Sequence, residues 1–151
     1  MTRLTGGCRC GAVRYEHTEE PIFQLICHCT DCRSASGSAF AGVLLVAADR
    51  LSMLGRDPKF HSVIADSGRT ISRGFCETCG SPIMARREDA PQLAFIQAGS
   101  LDEPMAFKPA VEVFGFRAHP AVSPVGSVER FDRGAPDLMR SAIEAHFKNR
   151  S

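Results

Sequence analysis

Val13, Tyr15 and His17 alternate with Arg14, Glu16 and Thr18, the period-two pattern of a half-exposed strand. Ile22 to Cys27 reads as a second strand. Phe40 to Val46 is apolar and rich in strand formers, which predicts a buried strand. Further short strands are predicted at Lys59–Ile64, Thr70–Phe75, Ile83–Arg86, Leu93–Ala98 and Val111–Phe116, with Gly, Pro, Asp or Ser in most of the gaps. Many short strands separated by turn residues point to an antiparallel β architecture. Only the C-terminus is patterned as a helix. Met139, Ala142, Ile143, His146 and Phe147 recur at three- and four-residue spacings, Pro136 and Asp137 suit a first turn, and Lys148 and Arg150 suit a last one. This helix is expected to pack on the sheet, with His146 packed or hydrogen-bonded rather than a ligand. Ala118 to Asp132, with Pro120, Pro124 and Gly126, reads as a loop that covers a pocket or leads into the helix.

A length of 151 residues, 44% hydrophobic and 23% charged, fits a single ordered domain over 1–151. The longest apolar run, Ala39 to Ala48, is about half the ~18–20 residues of a membrane-spanning helix. Met1 to Gly11 lacks the apolar core of a signal peptide. No membrane association is expected, and a cytoplasmic location is. Net charge is +1, and the densest basic pair, Arg86-Arg87, is followed at once by Glu88-Asp89. With ten Phe, one Tyr and no Trp, there is neither a basic stripe nor a stacking surface, so no nucleic-acid partner is expected. Homo-oligomer formation is left open.

Seven cysteines change the picture. An odd number excludes a complete intrachain disulfide framework, and clustered cysteines in a reducing compartment more often bind metal. Cys8-Arg9-Cys10 is followed by Gly11, and Cys76-Glu77-Thr78-Cys79 by Gly80. A tight turn carrying two metal thiolates calls for a positive φ just after it, which Gly takes without steric cost. Together the two pairs make the four-thiolate set of a closed structural zinc site. The competing readings are two unrelated reduced pairs, or a redox dithiol at Cys76/Cys79, which lacks the expected βαβ context.

The middle cluster, Cys27-His28-Cys29-Thr30-Asp31-Cys32, places three thiols within six residues and leaves no cysteine for a fourth ligand. Three protein ligands and an open position are the signature of a catalytic zinc. Arg33 follows the last cysteine, and Ser34 to Gly37 forms a small polar stretch that a ligand can approach. His28, Asp31, or a distant His17 or His61 would be needed to close the site instead. Seven thiolates against the four charges of two zinc ions take the formal charge from +1 to −2. A three-thiolate zinc is a weak Lewis acid toward water and suits a thiol as fourth partner. Such a complex calls for a nearby cation, with Arg33 local and Arg73 more distant.

On these residues the chain resembles the glutathione-dependent formaldehyde-activating enzyme family, which includes the centromere protein V domain. The matching stretches are Gly7–Tyr15, Cys27–Arg33, Phe75–Ser81 and Ala98–Asp102, with all seven cysteines in order. The chain departs from the family after Arg117, where no Trp follows. The resemblance implies a mainly β fold, a β-tent of short antiparallel sheets braced by a four-cysteine zinc, here followed by a C-terminal helix. It implies two zinc ions, one structural on Cys8, Cys10, Cys76 and Cys79, one catalytic on Cys27, Cys29 and Cys32. It also implies a carbon–sulfur lyase that makes or breaks S-hydroxymethylglutathione from a small thiol and a small aldehyde. His28, Arg33, Ser36 and Ser38 are proton-donor candidates by proximity in sequence. A zinc-braced binding module without turnover, and a redox or metal-buffering protein, are the alternative readings.

Overall fold

The structure is a computed structural model and describes residues 2–151. The elements follow as β1 (Leu4–Gly7), β2 (Arg14–His17), β3 (Phe23–Cys27), α1 (Thr30–Ser36), β4 (Ala41–Ala47), β5 (Leu51–Met53), β6 (Lys59–Ile64), β7 (Thr70–Phe75), β8 (Pro82–Arg87), β9 (Leu93–Gln97), β10 (Val111–Val113), β11 (Glu129–Arg130) and α2 (Pro136–Lys148). The fold is mainly β, as expected. β1, β2 and β5 form a small antiparallel sheet, and the other eight strands form a second sheet in the order β11-β10-β3-β4-β9-β8-β7-β6.

The central strand β4 lies between β3 and β9 and carries core side chains on both faces. Leu44 and Val46 point into a cluster with Tyr15, Ile83 and Ile96 beneath the small sheet. Val43 and Leu45 point the other way, into a cluster with Leu25, Phe95, Val111 and Val113. Successive side chains of a strand face opposite sides, so one unbroken apolar run serves two cores. α2 lays Met139, Ile143 and Phe147 against the second core and keeps its remaining face in solvent, as its pattern predicts. His146 packs edge-on against Phe147, with Nε2 3.4 Å from Glu19 Oε2.

Two expectations are corrected. The large sheet is not antiparallel throughout, because β10 runs parallel to both β3 and β11. Parallel neighbours need a long connection rather than a hairpin, and residues 114–128 supply one between β10 and β11. The C-terminus is also not alone in being helical. α1 follows Cys29, with Cys29 as its N-cap and Gly37 closing it by a hydrogen bond to the Arg33 carbonyl.

The two sheets meet at the Ala98–Asp102 segment. Gly6 bridges Leu101, and the Asp102 N–H donates to the Thr5 carbonyl at 3.0 Å. The buried Tyr15 hydroxyl lies 2.7 Å from Ser100 Oγ, which in turn donates to the Gln97 carbonyl at 2.8 Å. A Cβ on Gly6 would run into the Tyr15 hydroxyl and the Ser100 carbonyl, so only glycine permits this approach. Arg14 pairs with Asp102 through both carboxylate oxygens, with Nη1 2.8 Å from Oδ1. Together these contacts bring the Cys8–Cys10 turn to the large sheet.

Candidate metal centres

The structure brings Cys8, Cys10, Cys76 and Cys79 together, with all four sulfurs within 4.8 Å of one another. The Cys8–Cys10 and Cys10–Cys76 sulfur separations are 3.5 and 3.8 Å, the latter across 66 residues of sequence. A tetrahedron of thiolates at Zn–S ~2.3 Å has sulfurs ~3.8 Å apart, so the donor set fits zinc in kind and in size. Gly11 and Gly80 take φ of 82° and 77°, as the two turns require. The Val13 N–H donates to the Cys8 sulfur at 3.2 Å. Ser81, not singled out in sequence, lies 3.1 Å from the Cys79 sulfur and accepts the Arg9 N–H at 3.1 Å. Its hydroxyl is the first cause holding the Cys79 thiol down to about 5, which favours the ligating thiolate. Cys8 and Cys76 are buried, while Cys10 and Cys79 reach the surface.

Cys27, Cys29 and Cys32 form a second group, again with sulfurs within 4.8 Å. Cys27 ends β3, Cys29 caps α1, and Cys32 lies in its first turn, where its N–H donates to the Cys29 sulfur at 3.3 Å. Hydrogen bonds from Cys27 and Cys32 hold the Cys29 thiol down to about 2, and the same sharing pushes Cys27 up to about 12 and Cys32 up as well. The soft donor set suits zinc. Among the described residues no His, Asp or Glu completes this group. Two of the proposed closing ligands are engaged elsewhere. Asp31 accepts the Asp66 N–H at 3.1 Å, and His17 Nδ1 lies 2.8 Å from the Glu19 carbonyl. His61 stands on the edge strand β6.

His28 is fully buried, with Nε2 3.1 Å from Glu112 Oε1. Ser36 donates its hydroxyl to the Arg33 and Phe40 carbonyls at 3.2 Å each, which steadies the end of α1. Arg33 is half-buried, and its Nε has no hydrogen-bond partner among the described residues. Ser38 is exposed on the turn after α1.

Sequence reasoning missed the support of this centre. Glu112 on β10 is fully buried and binds His28 on one side and Arg130 of β11 on the other, with Arg130 Nε 3.0 Å from Oε2. The Val125 N–H donates to the same carboxylate at 3.3 Å. Burial pushes the Glu112 carboxyl up, but the hydrogen bonds from Arg130, His28 and Val125 outweigh it, so the group lies below the usual carboxylate value. The loop at residues 118–132 is thereby strapped to the strand that pairs with Cys27. Arg117, at the start of that loop, donates from Nη1 to Thr30 Oγ1 at 2.8 Å, inside the cysteine cluster.

No helix is long and apolar enough to cross a membrane among the described residues. No curated protein matches the chain. A crystal structure of a Rhodobacter sphaeroides protein is similar at 20% identity and a TM-score of 0.49, covering 84% of this chain and 99% of that one. The family model described as glutathione-dependent formaldehyde-activating enzyme matches residues 3–117, a span that holds all seven cysteines, and the chain belongs to that family.

Proposed function

We propose that the protein is a zinc-dependent carbon–sulfur lyase that makes or breaks the adduct of a small thiol and a small aldehyde, S-hydroxymethylglutathione being the form its family suggests. The observation that carries this reading is a cluster of three thiols with no fourth His, Asp, Glu or Cys donor among the described residues, in a chain that also holds a complete set of four. Cys27, Cys29 and Cys32 would hold zinc, which would stabilise as thiolate near neutral pH a substrate thiol whose pKa in water is ~8.5.

The chain's own residues prepare that position. Cys29 and Cys32 are fixed by the capped first turn of α1, and Cys27 by its pairing with Val113 and Ala41. Glu112 fixes the intervening His28, so the three sulfurs are held before substrate arrives and lose little freedom on binding. In the forward reaction the sulfur lone pair attacks the aldehyde carbon. The C=O π pair moves to oxygen, which takes up, by way of water, the proton the thiol released on becoming thiolate. Thiol and aldehyde become one hydroxymethyl adduct with no oxidant or reductant. With Ser36 and His28 otherwise engaged, Arg33 is the residue assigned to stabilise the developing alkoxide by a hydrogen bond, without giving up its own proton.

The test is exchange NMR with carbon-13 formaldehyde and glutathione. The zinc-loaded protein should speed interconversion with the adduct well above the uncatalysed rate, and Cys32→Ser should abolish the gain while keeping the circular-dichroism spectrum. A Cys32→Ser variant with full second-site metal and full activity would overturn the reading. So would a wild-type protein with both sites filled and no rate enhancement.

A further inference from the structure

The end of β10 and the turn after it hold the three-cysteine segment at successive points. Val113 pairs with Cys27, and its carbonyl accepts the His28 N–H at 3.1 Å. Glu112 holds the His28 ring. Arg117 holds Thr30, the residue that follows Cys29 and opens α1, through a hydrogen bond of 2.8 Å across 87 residues of sequence. Arg117 is exposed, and among the described residues it makes no ion pair. Its guanidinium is therefore a full positive charge anchored to the residue next to a cysteine.

The backbone is strained where it brings Arg117 there. Phe114 takes φ of 57° and ψ of 40°, and among the described residues it alone has a positive φ without being glycine. A bulky residue is disfavoured in the left-handed region and persists there where its surroundings over-determine it. The Phe114 N–H donates to the Arg133 carbonyl at 3.0 Å, the Gly115 N–H donates to the Phe131 carbonyl at 2.9 Å, and the Phe114 side chain packs against the second core. The chain then makes one short helical turn, Gly115–Arg117, in which the Arg117 N–H donates to the Phe114 carbonyl at 3.0 Å. Phe116 in this turn has two guanidiniums against its ring, Arg133 at 4.6 Å and Arg117 at 5.1 Å from the centre. A guanidinium already stacked on a ring has less rotamer freedom to lose when it bonds Thr30.

Charge adds to what the hydrogen bond does. Three thiolates outweigh a divalent ion, so metal on Cys27, Cys29 and Cys32 leaves an excess negative charge that the neutral thiols lack. A guanidinium anchored beside Cys29 favours the loaded form.

We propose that Arg117 is a positioning residue of the three-cysteine centre: through Thr30 it holds the Cys29–Cys32 turn in metal-binding geometry, and its charge offsets that of the loaded centre. This rests on the proposed function only in taking Cys27, Cys29 and Cys32 as metal ligands, and on nothing in the thiol–aldehyde step.

The test uses the full chain with cobalt in both centres. The difference spectrum against Cys32→Ser isolates the three-cysteine centre, and competition with a chelator measures how tightly it holds cobalt. Arg117→Ala removes donor and charge, whereas Thr30→Val removes the acceptor alone. Each should shift the visible bands of the three-cysteine centre and leave those of the four-cysteine centre fixed. Cobalt binding at the first should weaken about tenfold in Arg117→Ala and less in Thr30→Val. Both variants break one contact, so the double variant should bind no more weakly than Arg117→Ala. Arg117→Lys keeps the charge and should lose less than Arg117→Ala; an equal loss would overturn the charge assignment. Unmoved bands and affinity in Arg117→Ala, losses that add in the double variant, or bands that move equally at both centres would overturn the positioning role. If the variants behave as expected and the wild-type protein does not accelerate exchange between formaldehyde and glutathione, the positioning role stands and the lyase reading fails. If exchange is accelerated while Arg117→Ala leaves the three-cysteine bands and affinity unmoved, the lyase reading stands and the positioning role fails.

Discussion

The two cysteine clusters use the same donor atom but are built on different local structures. Cys8, Cys10, Cys76 and Cys79 come from two glycine-ended turns 66 residues apart, so the metal they fit would cross-link the small sheet to the large one. Cys27, Cys29 and Cys32 come from one strand end and the helix turn next to it, already joined by the chain. A metal there closes almost no loop and adds little to the fold. The first cluster provides four donors and leaves none vacant, whereas the second provides three. Ligand count and chain separation together distinguish a thiol set that can brace the fold from one that leaves room for a further ligand.

The largest expected effect separates the two most sharply. Cys76→Ser removes a buried ligand from the cross-link, and structural zinc can contribute ~10 kcal/mol or more to folding, comparable with the whole stability of a domain. The variant should lose its near-ultraviolet circular dichroism and cooperative unfolding. Cys32→Ser should keep both and bind one metal per chain instead of two. Reversed outcomes would break the distinction.

Next in size is Glu112→Ala, which strips a fully buried carboxylate from Arg130 and His28 and should cost ~3 kcal/mol in urea unfolding. Because His28 sits between Cys27 and Cys29, the cobalt spectrum of the three-cysteine centre should also change while that of the four-cysteine centre does not. An unchanged spectrum at both centres would leave Glu112 a purely structural residue.

Smaller again is Tyr15→Phe, which loses the hydrogen bond to Ser100 and should cost ~1 kcal/mol at neutral pH. Burial pushes the Tyr15 hydroxyl up from 10.0 to about 12. A raised folded pKa means the protonated form favours folding, so the wild-type contribution is full below pH 10 and lost as pH rises toward about 12. Denaturant titrations across that window should show the loss in wild type and its absence in Tyr15→Phe. The smallest effect belongs to Asp102→Asn. Its partner Arg14 and Asp102 itself are 36% and 43% exposed, so thermal unfolding should register ~0.5 kcal/mol or less.

The cysteine centres were legible in the sequence because ligand spacing is local, and because the glycines after two pairs mark the turns that a metal needs. The strands β2 and β4 were legible because their signals are local too, an alternation in β2 and an unbroken apolar run of strand formers in β4. What escaped was either short or non-local. At seven residues, α1 is too brief to show a helical period, and its N-cap is a cysteine that reads first as a ligand. Glu112, between Val111 and Val113, reads as the solvent-facing position of an alternating strand. It is buried because β10 is flanked by β3 and β11 and covered by the loop that follows. Its partner Arg130 lies 18 residues further on, and nothing in the intervening loop announces the pair. The parallel placement of β10 is likewise set by the core it completes rather than by its own three residues.

The most direct measurement is a glutathione titration of the protein with cobalt in both centres, following the thiolate-to-cobalt charge-transfer band. The band should grow, saturate at one glutathione per chain, and be absent in Cys32→Ser. A band unchanged at high glutathione with both cobalt ions bound would contradict it, and would leave the three-cysteine centre closed to thiols.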